Sequence, residues 1–192
     1  MEEEIYTEGF YKMTMDAEIA SSPIVVGDIM RNDHPQSVID IGCGCGIYLR
    51  DFMKNGVKVM GLDGSANALR ESLLPAGYIK QVDLREHWIG EFGKHDVCVC
   101  FEVAEHIETK YSKHLIDILT DCSNTIYFTA APVGQAGVNH INCQPREFWI
   151  DKFSANGFKY DKNLSEKLSK IWKESGVIWW IANNITVFRY EV

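Results

Sequence analysis

The chain has 192 residues, 46% of them hydrophobic and 24% charged, enough for one domain whose core needs no staples. Nineteen Lys and Arg against 27 Asp and Glu leave a net charge of −8, which excludes a general basic footprint for nucleic acid. Composition also excludes a disordered, collagen-like or coiled-coil chain, and no apolar run approaches the roughly 18 residues of a membrane helix.

The acidic start, Met1 to Glu4, lacks the positive n-region of a secretory signal. Tyr6 to Arg31 mixes aromatic and helical patterns and reads as one or two helices, a cap over residues 1–34 preceding a core over 35–192. Tyr6, Phe10, Tyr11 and Met13 there either cover a site as a lid or pack on the sheet. Strands and helices then alternate. Ser37–Ile41 is a β-branched strand ending in glycines, and Ile47–Asn55 a helix stopped by Gly56. Val57–Leu62 is a strand, Ala66–Leu74 a helix before Pro75, and Tyr78–Val82 a short third strand. Asp96–Phe101 is apolar throughout, as expected of a strand buried on both faces. Lys110–Cys122 has helical spacing, Thr125–Ala130 is a strand, Arg146–Asn156 a helix closed by Gly157, and Asn184–Tyr190 a final strand. Such a series gives an α/β fold with a mostly parallel sheet, whose ligand binds beyond the carboxyl ends of the strands.

The six cysteines include no C-x-x-C pair. Cys98 and Cys100 alternate with Val97 and Val99 and read as small core residues rather than zinc or redox ligands, in a reducing, cytoplasmic setting.

After the first strand, Asp40-Ile-Gly-Cys-Gly-Cys-Gly-Ile47 places glycines at alternate positions. They allow a sharp turn and close approach of a ligand to the backbone. The spacing is not G-x-G-x-x-G, and no phosphate-loop lysine follows. Asp63 ends the second strand, where a carboxylate can accept both hydroxyls of a ribose, and Asp83 follows the third. Together they point to a nucleoside-containing ligand.

Val38 to Gly46, Gly61-Leu-Asp-Gly-Ser65, Val82-Asp-Leu84 and Cys100 to Ile107 occur in the order found in class I S-adenosylmethionine-dependent methyltransferases, which this chain resembles over roughly residues 35–160. The resemblance implies a Rossmann-like fold: a seven-stranded, mostly parallel sheet with one antiparallel edge strand and helices on both faces. It implies that Gly42, Gly44 and Gly46 cradle the methionine part, Asp63 holds the ribose, and Asp83 and Leu84 face the adenine. Asp40, Cys43, Gly64, Glu102 and Tyr11 complete the expected cofactor contacts.

Glu102-Val-Ala-Glu-His106 follows the fourth strand. A helical turn there would put Glu102, Glu105 and His106 on one face, a set suited to a divalent ion. His140, after the fifth strand, could add a fourth ligand. E-x-x-E-H with a later His resembles two metal-dependent branches, the small-RNA 3′-terminal 2′-O-methyltransferases and the ubiquinone-biosynthesis O-methyltransferases. The resemblance implies that the ion, Mg or Mn, meets vicinal oxygens of the acceptor. Without metal, His106 or His140 could serve as general base beside Glu102.

His140 to Phe153 is similar to a segment of methyltransferases that modify glycans and other polar small molecules. Phe148, Trp149 and Phe153 have the spacing of core residues. Arg146 either meets an acidic acceptor or serves the surface. Trp172, Trp179 and Trp180 could wall the cleft, while Lys167, Lys170 and Lys173 read as a solvated helix face. His34, His87, His95 and His114 show no arrangement for chemistry. The expected activity is O-methylation of a sugar, glycan or similar polyol, acting alone or as one domain of a larger glycan-synthesis polypeptide. A terminal RNA 2′-O-methyltransferase is the second reading, which the charge of −8 weighs against. A non-catalytic cofactor-binding module is the third.

Overall fold

The computed structural model describes residues 5–86 and 89–191, so the expectations for Met1 to Glu4 and for His87 lie outside the described residues. Seven strands form one sheet: β1 (Ser37–Ile41), β2 (Lys58–Asp63), β3 (Ile79–Gln81), β4 (Val97–Phe101), β5 (Thr125–Thr129), β6 (Phe158–Tyr160) and β7 (Thr186–Tyr190), in the order β3-β2-β1-β4-β5-β7-β6. The first five strands pair in parallel, and β7 runs antiparallel to both β5 and β6. The one antiparallel strand is therefore next to the rim, with the three-residue β6 outside it.

Among the described residues, eight α-helices surround the sheet: α1 (Glu8–Glu18), α2 (Ser22–Asp33), α3 (Ile47–Lys54), α4 (Ala66–Arg70), α5 (Ser112–Cys122), α6 (Arg146–Ala155), α7 (Lys162–Glu174) and α8 (Trp179–Asn184). The period-2 alternation of β4 shows why both faces are covered. Val97, Val99 and Phe101 pack with α2, α3, α7 and α8, while Cys98 and Cys100 pack with α5 and α6 on the opposite face. All six cysteines are free, and Cys98 and Cys100 are fully buried small core residues. Trp149 and Phe153 are core as their spacing predicts.

Two expectations need correction. The helix expected to reach Leu74 ends at Arg70, because the Leu73 amide turns away to donate to the Cys45 carbonyl at 2.9 Å. Trp172 is no cleft wall: it is fully buried and its indole donates to Asp28 Oδ2 at 2.9 Å. Arg146 takes the surface role, exposed and donating to the Asn183 carbonyl at 3.0 Å, which ties α6 to α8. Lys167, Lys170 and Lys173 lie on the exposed side of α7, as expected. Among the described residues, no helix is long and apolar enough to cross a membrane.

In this order the sheet reverses direction of growth between β1 and β4, and an open parallel sheet leaves a crevice at the carboxyl ends there.

Candidate functional site

A cavity of about 350 Å³ fills that crevice, lined by the ends of β1, β2 and β4, the loop at 136–140 and one face of α1. Its floor is the glycine loop. Gly42, Gly44 and Gly46 have φ of +77°, +52° and +79°, which L side chains rarely adopt. The amides of Gly42 and Cys43 both donate to the Leu62 carbonyl, at 2.7 and 3.0 Å, pinning the loop to β2. A Cβ on Gly42 would fall 2.3 Å from Val103 Cγ2, and one on Gly46 2.8 Å from Leu74 Cδ1. Gly42, Cys43, Gly44 and Cys45 line the cavity, with the Tyr11 ring 3.5 Å from a Cβ built on Gly44, whereas Gly46 is not among the lining residues and packs against Leu74 and Ile79.

Asp63, the last residue of β2, accepts from the Gly44 amide at 2.8 Å, the Ser65 amide at 2.9 Å and the Tyr11 hydroxyl at 3.4 Å. It joins the glycine loop, its own turn and α1 at one point. Asp40 lies in β1 with 2% exposure, and its Oδ2 has no hydrogen-bond partner. Burial, with Asp63 and Glu18 nearby, pushes its carboxyl well above the usual range. An unmatched buried acceptor costs about 1–3 kcal/mol, so this oxygen fits a donor or a cation arriving in the cavity. Asp83 stands at the rim with both oxygens engaged by the Arg85 guanidinium, at 2.8 and 2.6 Å, which holds its carboxyl below the usual range. Beside it Val82 and Leu84 form a buried apolar wall suited to a flat ring.

After β4 the chain does not make the single helical turn expected of Glu102, Glu105 and His106. Glu102 adopts φ +52°, and the turn that follows is a 3-10 helix over Ala104–His106. Left-handed backbone at a non-glycine residue stores strain that surrounding bonds must hold. Here the Glu102 amide donates to Thr129 Oγ1 at 2.9 Å, while its carboxylate accepts from Gln135 Nε2 at 2.8 Å and Asn184 Nδ2 at 3.1 Å.

The structure does bring Glu105, His106 and His140 together, with one ligand atom from each within 4.8 Å of the others. Two bonds carry the later loop there: the amides of Ile141 and Asn142 both donate to the Glu105 carbonyl at 2.9 Å. Glu105 is fully buried; Oε1 accepts from the Ala131 amide at 3.1 Å and Oε2 has no partner. Burial, then the Glu102 charge, raises its carboxyl well above the usual range. His106 Nδ1 faces the Asn139 carbonyl at 3.3 Å and His140 Nδ1 the Gln135 carbonyl at 3.1 Å. A carbonyl can only accept, so Nδ1 is the donor in each of these bonds, and with Nε2 unprotonated this is the arrangement of metal-ligating imidazoles. Burial, with His140 beside it, pushes His106 down to about 4, so it is neutral at physiological pH. Gly137 makes room: a Cβ there would fall 2.1 Å from His140 Nε2.

Sequence reasoning overlooked Gln135, Asn139, Asn184, Tyr48 and Glu18. For Glu18 a signal existed, since Tyr11, Thr14, Met15 and Glu18 recur at helical spacing and all line the cavity. Glu18 is 9% exposed and accepts from the Tyr48 hydroxyl and the Trp180 indole, each at 3.1 Å. Burial pushes its carboxyl up to about 7, against those two bonds and helped by Glu102. With an unfolded value near 4.5, its favourable contribution to the unliganded protein is full below that pH and is lost as pH rises through 7. At pH 8 the loss is about 3 kcal/mol. Chemical denaturation should therefore show Glu18→Gln flattening the decline in stability between pH 5 and 8; an unchanged slope would contradict this.

Residues 15–129 match the methyltransferase domain family. The ubiquinone biosynthesis O-methyltransferase of Sodalis glossinidius is 30% identical over 121 residues, 60% of this chain and 45% of that protein. The chain thus spans about half the length of such relatives. Magnesium protoporphyrin IX methyltransferase from Synechocystis, solved with bound SAH, superposes with a TM-score of 0.61 at 20% identity, covering 75% of this chain and 74% of that one. DesVI of Streptomyces venezuelae gives 0.66 at 13% identity, covering 100% and 99%.

Proposed function

The chain belongs to the methyltransferase domain family, and from that premise we propose that it is an S-adenosylmethionine-dependent O-methyltransferase acting on a vicinal diol of a small sugar- or polyol-like acceptor. The observation that carries the diol reading is the convergence of Glu105, His106 and His140 beside the cavity. Their donor set, one carboxyl and two imidazoles whose Nδ1 atoms face carbonyls, suits a divalent ion such as Mn or Mg. The partnerless Glu105 Oε2 supports the fit. When bound, such an ion supplies acidification and orientation of neighbouring hydroxyls.

The cofactor's methyl is electrophilic because it sits on a sulfonium. This chain's part is to bind, orient and move a proton. The glycine loop and Asp40 Oδ2 receive the methionine portion, Asp63 the ribose, and Val82 with Leu84 the adenine. The Nε2 lone pairs of His106 and His140 hold the ion when it is bound; without it, one of them takes the hydroxyl proton. Glu102, fixed by Gln135 and Asn184 and outside that three-residue group, serves as an acceptor for a substrate hydroxyl. The names of the ubiquinone-biosynthesis relatives agree with an oxygen acceptor.

Methyl transfer should be followed as S-adenosylhomocysteine formation with paired acceptors, each vicinal diol beside the same molecule lacking one hydroxyl. Turnover confined to the diols, by at least about tenfold in kcat/KM, is expected if both oxygens are gripped. Equal turnover of the pairs would remove the diol from the proposal.

A further inference from the structure

Charge around the cavity is lopsided. Glu18, Asp40, Asp63 and Glu102 line it, Glu105 lies just behind, and among the described lining residues the only Lys or Arg is Arg85, which is paired to Asp83. Asp40 and Asp63 flank the glycine loop, and Glu102 and Glu105 adjoin His106. Glu18, on α1, lies between these groups, near enough to Asp40 and to Glu102 for their charges to be felt, and its hydrogen-bond partners are aromatic residues.

The partners of Glu18 are neutral. Tyr48 and Trp180 each donate one hydrogen bond at 3.1 Å, and no ion pair among the described residues includes Glu18. Those bonds fix the indole and the phenol ring, and Phe101 packs edge-on against Tyr48 at 5.1 Å. A carboxylate held by neutral donors among aromatic rings, at the wall of a cavity, is complementary to an ammonium. The charge attracts it, and burial strengthens that attraction. The same surroundings repel a carboxylate or phosphate that no free cation there could neutralise.

We infer that Glu18 selects the acceptor by charge: the diol taken by this site also bears a protonated amine, which lies against Glu18 and Trp180, and anionic acceptors are turned away. This deepens the diol reading above and rests on it. It assigns to α1 a role in choosing the acceptor, apart from any role in covering the cofactor.

The test uses two small diols of similar shape and opposite charge, dopamine and 3,4-dihydroxyphenylacetate. Each is titrated calorimetrically into the protein carrying S-adenosylhomocysteine and Mn. Dopamine is expected to bind at least about tenfold more tightly, and Glu18→Gln to bring the ratio within about threefold, chiefly by weakening dopamine. S-adenosylhomocysteine affinity of the variant, measured alongside, reports that it is folded, and the preference of the unaltered protein is a test needing no variant. Equal binding, tighter binding of the anion, binding of neither, or a ratio that Glu18→Gln leaves intact would each overturn the inference. Uncharged catechol separates the two readings. Its failure to be methylated with metal supplied counts against the diol reading, whereas an absent charge preference counts against Glu18 alone.

Discussion

Gly42→Ala is expected to weaken S-adenosylhomocysteine binding by at least about 100-fold, and Gly46→Ala nearly as much. Two separate penalties combine. A side chain held at φ +77° loses about 1–2 kcal/mol to left-handed backbone strain. Its Cβ would also overlap Val103 Cγ2 at 2.3 Å, and overpacking of this kind typically costs about 1–3 kcal/mol. Relief of both requires the loop or Val103, both of which line the cavity, to shift in the space the cofactor needs. A loss near 3 kcal/mol corresponds to roughly two decades in affinity. Gly56 supplies the control, since its φ is +79° with nothing within 4 Å of a Cβ. Gly56→Ala should lower stability slightly and leave binding intact. Calorimetry showing Gly42→Ala within threefold of the unaltered protein would mean that the loop is not the cradle.

Glu105→Gln and His106→Ala should each lower methyl transfer by about 10²–10⁴-fold, the range for losing a positioned proton-transfer group, while leaving cofactor affinity within threefold. Glu105→Gln is the more telling of the two. Its amide oxygen can keep the bond from the Ala131 amide, and the substitution removes a carboxylate that burial already penalises. The melting temperature should stay the same or rise while activity collapses, the signature of a residue kept for function at the expense of stability. An active Glu105→Gln enzyme, or one that loses activity only because it unfolds, would assign Glu105 a structural role.

Much of this was legible because class-defining features are local. The β-branched run before Gly42, the alternate glycines and Asp63 at the next strand end all lie within short windows whose backbone demands are specific. The apolar alternation of Val97 to Phe101 likewise announced a strand covered on both faces. The C-terminal part was harder to read. Strand β6 has only three residues, too few for a periodic signal, and exists because β7 gives it a partner. Glu102 misled for a related reason. Its i, i+3, i+4 spacing to Glu105 and His106 is helical, but the bond from its amide to Thr129 holds it at the end of β4 and starts the turn late. His140 was found by residue type and order, whereas its placement depends on the Ile141 and Asn142 amides closing onto Glu105, a long-range contact that no local pattern encodes. Glu18 lay outside every motif. Only its place on the cavity face of α1, beneath Trp180 from the far end of the chain, gives it meaning.

The most direct test of the central claim is methyl transfer to a diol acceptor measured before and after chelation, with Mn or Mg then restored. The account predicts that activity disappears with chelator, returns with metal, and does not return in His106→Ala or Glu105→Gln, while S-adenosylhomocysteine binding is unaffected throughout. Turnover indifferent to chelator would contradict the metal site and leave His106 or His140 to remove the proton unaided.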